Sequence, residues 1–183
     1  MAKDVKTMED LFLEEIRDLL DAEKQITKAL PKMAKAATSE ELISAFTEHL
    51  EQTRGQIDRL ERIFSDLGEK SGGVKCNGME GLLKEGDEMV SLTEPGPVRD
   101  AGLIGAAQRV EHYEMAGYGC ARTFAQLLGN DSAADLLQET LDEERDTDEI
   151  LTEIAESMVN NRALSSTQTA TGRTGMAGSG SSE

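Results

Sequence analysis

The sequence predicts an all-α protein, an antiparallel four-helix bundle with a short extra helix in the crossover between the second and third long helices. Three observations carry this expectation. Apolar residues recur at steps of three and four along most of the chain, and no stretch alternates in the manner of a strand. Four such segments each run to roughly 30 residues, about 45 Å of helix at 1.5 Å per residue. The links after the first and third segments are short, which makes hairpins, while the link between the second and third is long enough to carry the chain across the bundle.

The first helix is expected over about 8–36, with the stripe Phe12, Ile16, Leu19, Glu23, Ile26, Leu30, Met33. The second follows "TSEEL", where Thr38 or Ser39 can cap and acids occupy the first turn. Its stripe is Leu42, Phe46, His49, Thr53, Ile57, Leu60, Phe64, Leu67, and Gly68 is the stop. The polar connection "GEKSGGVKCNG" leads to the amphipathic piece "MEGLLKEGDEMVSL", and "TEPGPVRD" breaks the chain again. The third long helix, about 98–128, carries Ile104, Ala107, Glu111, Glu114, Tyr118, Ala121, Ala125, Leu128. "GNDS" ends it and caps the fourth, about 132–160, with Leu137, Leu141, Glu144, Asp148, Leu151, Ala155, Met158. Gly102, Gly105, Gly117 and Gly119 each weaken the third helix by about 1 kcal/mol relative to alanine. Close approach of a neighbouring backbone, such as that of a second subunit, is the expected compensation. Residues 1–164 thus make one bundle domain. Residues 165–183, "SSTQTATGRTGMAGSGSSE", have almost nothing to bury and are expected to form a disordered tail.

At 183 residues the chain can build a substantial core, and its 38% hydrophobic content suffices for one. Acidic residues outnumber basic ones 36 to 19, a formal charge of -17 that repels nucleic-acid phosphates and anionic lipid headgroups. Neither nucleic acid nor membrane is an expected partner. No apolar run approaches the roughly 20 residues of a membrane span, and "MAKDVKTMEDLF" lacks the basic flank and apolar stretch of a secretory signal, so a cytoplasmic location is expected. Cys76 and Cys120 form no Cys-x-x-Cys pair, which excludes a zinc ribbon or rubredoxin-type iron centre, and no disulfide is expected between them.

Every long helix places a potential metal ligand inside its apolar stripe, near its middle: Glu23, His49, Glu111 with Glu114, and Glu144. Antiparallel packing can bring these to one level. A buried ionised carboxylate costs several kcal/mol, a cluster adds repulsion, and two divalent cations would neutralise four carboxylates with histidine as a neutral nitrogen ligand. Taken singly, each residue has a plainer explanation. A stripe glutamate usually reaches water or pairs with an arginine such as Arg54, Arg109 or Arg122, and a stripe histidine is usually hydrogen-bonded. Their combination, carboxylates on three helices and a histidine on the fourth, brings a metal site level with these plainer explanations. An alternative stripe, Leu136, Thr140, Glu143, Thr147, Leu151, Ile154, would turn Glu143 inward instead of Glu144, and periodicity does not choose between them. Tyr118, one turn from Glu114, either bonds a ligand carboxylate or packs with its hydroxyl at the boundary, whereas His112 points away from the Glu111 face.

The segments "DAEKQITKALPKMA", "EHLEQTRGQIDRLE", "KCNGMEGLLKEG", "AAQRVEHYEMAGYG" and "ETLDEERDTDEIL" closely resemble the YciE/YciF family of bacterial ferritin-like stress proteins, over about residues 6–160. The resemblance implies a ferritin-like bundle with a di-metal centre, a dimeric assembly and an association with stress responses. Glu111 and Glu114 resemble the third-helix Glu-x-x-Glu of the rubrerythrin branch, Glu23 matches the first-helix ligand, and His49 matches the family's histidine. Ferritin-like proteins usually carry Glu-x-x-His on the second and fourth helices, whereas here the second has "EHLEQ" and the fourth has no histidine. Gln52 stands where relatives can have an acid and is a neutral candidate. Glu143 and Glu144 carry over on the fourth helix, with Asp148 as a further candidate. The expected cofactors are two divalent ions, iron or manganese, reacting with oxygen or peroxide. Without a rubredoxin-like domain, any redox cycle needs an external electron donor. The alternatives are a non-catalytic dimeric scaffold that binds other proteins, and iron storage.

Overall fold

The computed structural model describes residues 4–166. Its helices are α1 (Met8–Ala36), α2 (Glu40–Leu67), α3 (Asn77–Leu92), α4 (Pro97–Leu127) and α5 (Asp131–Ile154), and no strand occurs among the described residues. The four long helices make the bundle, and α3 is the extra helix of the crossover. α5 passes into a π-helical turn, Ala155–Val159, after which residues 160–166 are helical again. The expected tail would begin within that last stretch, at Ser165, and its remainder, 167–183, lies outside the described residues.

Helix ends have local causes. Thr7 caps α1 through a reciprocal pair with Asp10, and α2 stops at Gly68, whose φ of 67° is easy only for glycine. The start of α2 differs from the expected local cap, because the Ser39 hydroxyl donates to Glu41 instead. Asp100 of α4 takes over. It accepts from the Thr38 backbone N–H at 2.8 Å, the Ser39 N–H at 3.0 Å and the Thr38 hydroxyl at 2.6 Å. A carboxylate on three donors ties the α1–α2 turn to the first turn of α4. The beginning of α4 therefore sits beside the end of α1, and the two run antiparallel. Contacts of His49 with Thr147 and of Arg59 with Thr140 show the same sense for α2 and α5.

α1 packs on α2 and α4, and α5 on α4 and α2, which leaves α1/α5 and α2/α4 facing across the diagonals. α3 lies against α4 and α1. Its N-cap, Cys76, is pinned to α1 by its N–H on Asp21 at 2.8 Å and by the Gln25 amide on its carbonyl at 3.0 Å. Gly102 and Gly117 of α4 face side chains of the same chain. A Cβ at Gly102 would meet the Met89 side chain at 2.6 Å, and one at Gly117 would meet Leu19 at 2.8 Å, whereas Gly105 and Gly119 have no neighbour within 4 Å. Among the described residues no helix is long and apolar enough to cross a membrane.

The core is split in two. One cluster, including Phe12, Ile16, Leu20, Leu60, Phe64 and Leu137, fills the end near the start of α1, and a second, including Ile26, Leu30, Phe46, Leu103, Ile104 and Leu151, fills the other end. Between them lies a layer of buried polar side chains.

Candidate metal centre

Each helix delivers its part of that layer by helical spacing. Glu23 on α1 lies between Leu20 and Ile26, and Glu111 and Glu114 on α4 between Ala107 and Tyr118, all on buried faces. His49, Thr53 and Gln56 follow one another inward on α2, and Glu144 and Thr147 do so on α5. Glu23, Glu114 and Glu144 are 0% exposed, Glu111 2% and His49 3%. His49, Glu111, Glu114 and Glu144 each offer a ligand atom, and these four atoms lie within 4.8 Å of one another. His49 Nε2 is 3.5 Å from Glu111 Oε1 and 3.8 Å from Glu144 Oε2. Glu23 adjoins Glu114, and its own Oε1 accepts from the hydroxyl of the wholly buried Tyr118.

The histidine is held in one tautomer. The Thr147 hydroxyl donates its hydrogen to the Glu143 carbonyl at 3.0 Å, so towards His49 Nδ1, at 3.3 Å, it is the acceptor. Gln52 Oε1, also 3.3 Å from Nδ1, is an acceptor too. Nδ1 carries the hydrogen, and Nε2 turns its lone pair to the carboxylates. This is the outer-shell arrangement that orients a metal-binding imidazole.

Burial is the first cause that raises the proton affinity of Glu23, Glu111 and Glu114 well above the usual carboxylate range, followed by repulsion from Glu144 for Glu23 and Glu111 and from Glu23 for Glu114. With all the carboxylates ionised, neither oxygen of Glu114 has a donor, and only a proton held between Glu114 and Glu23 gives them a hydrogen bond. Among the described residues, eight buried side-chain nitrogen and oxygen atoms lack a hydrogen-bond partner, and all but Arg122 Nε belong to this layer. Buried polar atoms are rarely left unpaired. Here the unpaired atoms converge as lone pairs, which is what a cation requires. His49, Glu111, Glu114 and Glu144 converge on one position that could hold a metal ion, and Glu23 adjoins Glu114.

The remaining sequence candidates lie outside this convergence. Glu143 is 27% exposed and pairs with Arg59, so α5 turns Glu144 inward. Gln52 is exposed, and its Oε1 lies 3.3 Å from the outer nitrogen of His49. Asp148, 21% exposed, accepts from Gln108 at 3.1 Å and lies 3.5 Å from the outward-facing His112. Gln56 escaped the sequence reading, which placed Ile57 in the stripe. The signal was present in the spacing His49, Thr53, Gln56, Leu60, whose steps of four, three and four keep to one face. Gln56 donates to Glu144 Oε1 at 2.5 Å and to Glu143 Oε2 at 3.0 Å.

Residues 7–164 match the family described as a domain of unknown function, DUF892. Protein YciF of Escherichia coli strain K12 is 49% identical over 160 residues, covering 87% of this chain and 96% of that protein. The crystal structure of the E. coli stress protein YciF superposes with a TM-score of 0.82 at 49% identity, over 85% of this chain and 98% of the other. YcfI of Rhodopseudomonas palustris superposes at 0.80 with 44% identity, over 83% and 97%. Shared fold, near-complete coverage and high identity agree with the likeness carried by the five sequence motifs, and the chain belongs to the DUF892 family, as a relative of the E. coli stress protein YciF.

Proposed function

We propose that the protein is a ferritin-like stress-response protein that holds two divalent ions, iron or manganese, at the middle of its bundle and acts on oxygen or peroxide. The observation that carries this reading is the layer of buried carboxylates and one oriented imidazole whose unpaired atoms point at one another. Left without a cation, such a layer works against folding, so its presence supports a ligand that compensates it. His49 Nε2, Glu111, Glu114 and Glu144 hold one ion, and Glu23 with Glu114 serves the second. When bound, the metals supply electrons and open coordination positions for the oxidant. The protein supplies the rest. Glu23, Glu111 and Glu114 release protons as cations bind, and Tyr118 holds a proton on its hydroxyl, aimed at Glu23. The flanking apolar clusters keep bulk water out. Electrons come from an external donor, the chain works as a homodimer, and its location is the cytoplasm. The link to stress rests on the E. coli relative.

Elemental analysis after anaerobic reconstitution and desalting is the test. About two ions per chain are expected, with peroxide consumption that is lost in Glu111→Gln. A wild-type protein that retains no metal refutes the reading and leaves the non-catalytic scaffold. Sedimentation at micromolar concentration tests the dimer, and a monomer throughout refutes it.

A further inference from the structure

The proposed ligands are sealed from solvent, so a cation needs a route to them. Resting on the metal-centre reading, we infer that Glu143, Gln56 and Arg59 form the inlet through which a divalent cation reaches Glu144. The Gln56 amide nitrogen donates to Glu143 Oε2 at 3.0 Å and to Glu144 Oε1 at 2.5 Å. One side chain therefore spans a carboxylate that is 27% exposed and one that is 0% exposed. Gln56 is itself wholly buried, and its Oε1 has no hydrogen-bond partner. The terminal torsion of glutamine is broad and nearly two-fold, so the amide can exchange its ends. Its N–H bridges the two carboxylates while they wait, and its carbonyl oxygen faces a cation passing between them.

Arg59 is the gate. Its guanidinium donates to Glu143, to Glu139 at 2.9 Å and to the Thr140 hydroxyl at 3.0 Å. It places a positive charge on the oxygen that an incoming cation must use. Other approaches are chemically poorer. Beside His49 the outward atom is an N–H, which repels a cation. Asp148 is occupied by Gln108 and His112, and no buried amide links it to the ligands.

The test mixes metal-free full-length protein with cobalt(II), following the visible absorption of bound cobalt by stopped flow and the final stoichiometry by elemental analysis. Glu143→Gln is expected to slow uptake about tenfold at low ionic strength while reaching wild-type stoichiometry, since a focusing charge at a cleft mouth acts on the on-rate. Arg59→Gln is expected to speed uptake severalfold, Arg59→Lys to stay near wild type, and the exposed Asp142→Asn to change nothing. The inference is overturned by Glu143→Gln loading at the wild-type rate, by Asp148→Asn slowing uptake more than Glu143→Gln does, or by reduced stoichiometry in Glu143→Gln, which would make Glu143 a ligand. If Glu143→Gln folds poorly, Arg59→Gln decides alone, and an unchanged rate there overturns the gate. Wild-type protein that binds no cobalt sinks the metal centre and the inlet together, so the two failures are distinguishable.

Discussion

Replacing Glu111 by glutamine separates a ligand from a structural residue, because the two roles predict opposite signs. Glu111 is 2% exposed, and its Oε2 has no hydrogen-bond partner. In the metal-free protein it stands in a repulsive group with Glu144 and Glu23. At an effective dielectric of about 20, unit charges about 4 Å apart repel by about 4 kcal/mol. Glutamine keeps the volume and removes the charge, so metal-free Glu111→Gln should be more stable than wild type by about 2–4 kcal/mol at pH 7.5. For a domain of this size that is a rise of about 5–15 °C in Tm. The gain should vanish near pH 3.5, about one unit below the ordinary carboxylate value of 4.5, where wild-type Glu111 is protonated in both the folded and unfolded states. Metal affinity should fall by at least about 100-fold, because the amide supplies no negative charge. Urea unfolding with and without chelator, at both pH values, reads all three effects. The exposed Asp142→Asn is the control. A metal-free Glu111→Gln protein that is no more stable than wild type at pH 7.5 would refute the buried-cluster reasoning.

Metal-free stability should depend on pH with a definite sign. Glu23, Glu111 and Glu114 bind protons more tightly when folded, so their contribution is complete below 4.5 and is lost as pH rises through their folded values. Urea midpoints should fall from about pH 5 to 8, by roughly tenfold in the folding equilibrium per pH unit for each proton retained, and saturating metal should flatten the slope; a flat metal-free profile counts against the cluster. Thr147→Val removes an acceptor of the His49 Nδ1 hydrogen and should weaken cobalt or manganese binding about tenfold by calorimetry, whereas unchanged affinity would contradict the tautomer assignment. Asp100→Ala leaves the Thr38 and Ser39 N–H groups without their acceptor and should cost about 2–4 kcal/mol in urea unfolding. A loss under about 1 kcal/mol would mean that water replaces the carboxylate.

Sequence alone determined the all-helical class, the four long helices and the place of the extra one, because helix formation and its ends depend on local spacing and local turns. Glu23, Glu111 and Glu114 were legible for the same reason: each interrupts a regular apolar stripe, and an interruption can be seen without knowing the partner helix. What faces what was not legible. Glu143 and Glu144 are adjacent on α5 and differ by about 100° of rotation, which periodicity leaves open. The choice came from α2, where Arg59 holds Glu143 at the surface and Gln56 meets Glu144 inside. Ile57 gave way to Gln56 because that stripe was extended by composition, whereas packing follows angle. Asp100 lies 61 residues from Ser39, and nothing local to "TSEEL" announces that its cap comes from α4. Contacts between helices depend on rotation, level and distance at once, and those three quantities exist only after the chain has closed into its bundle.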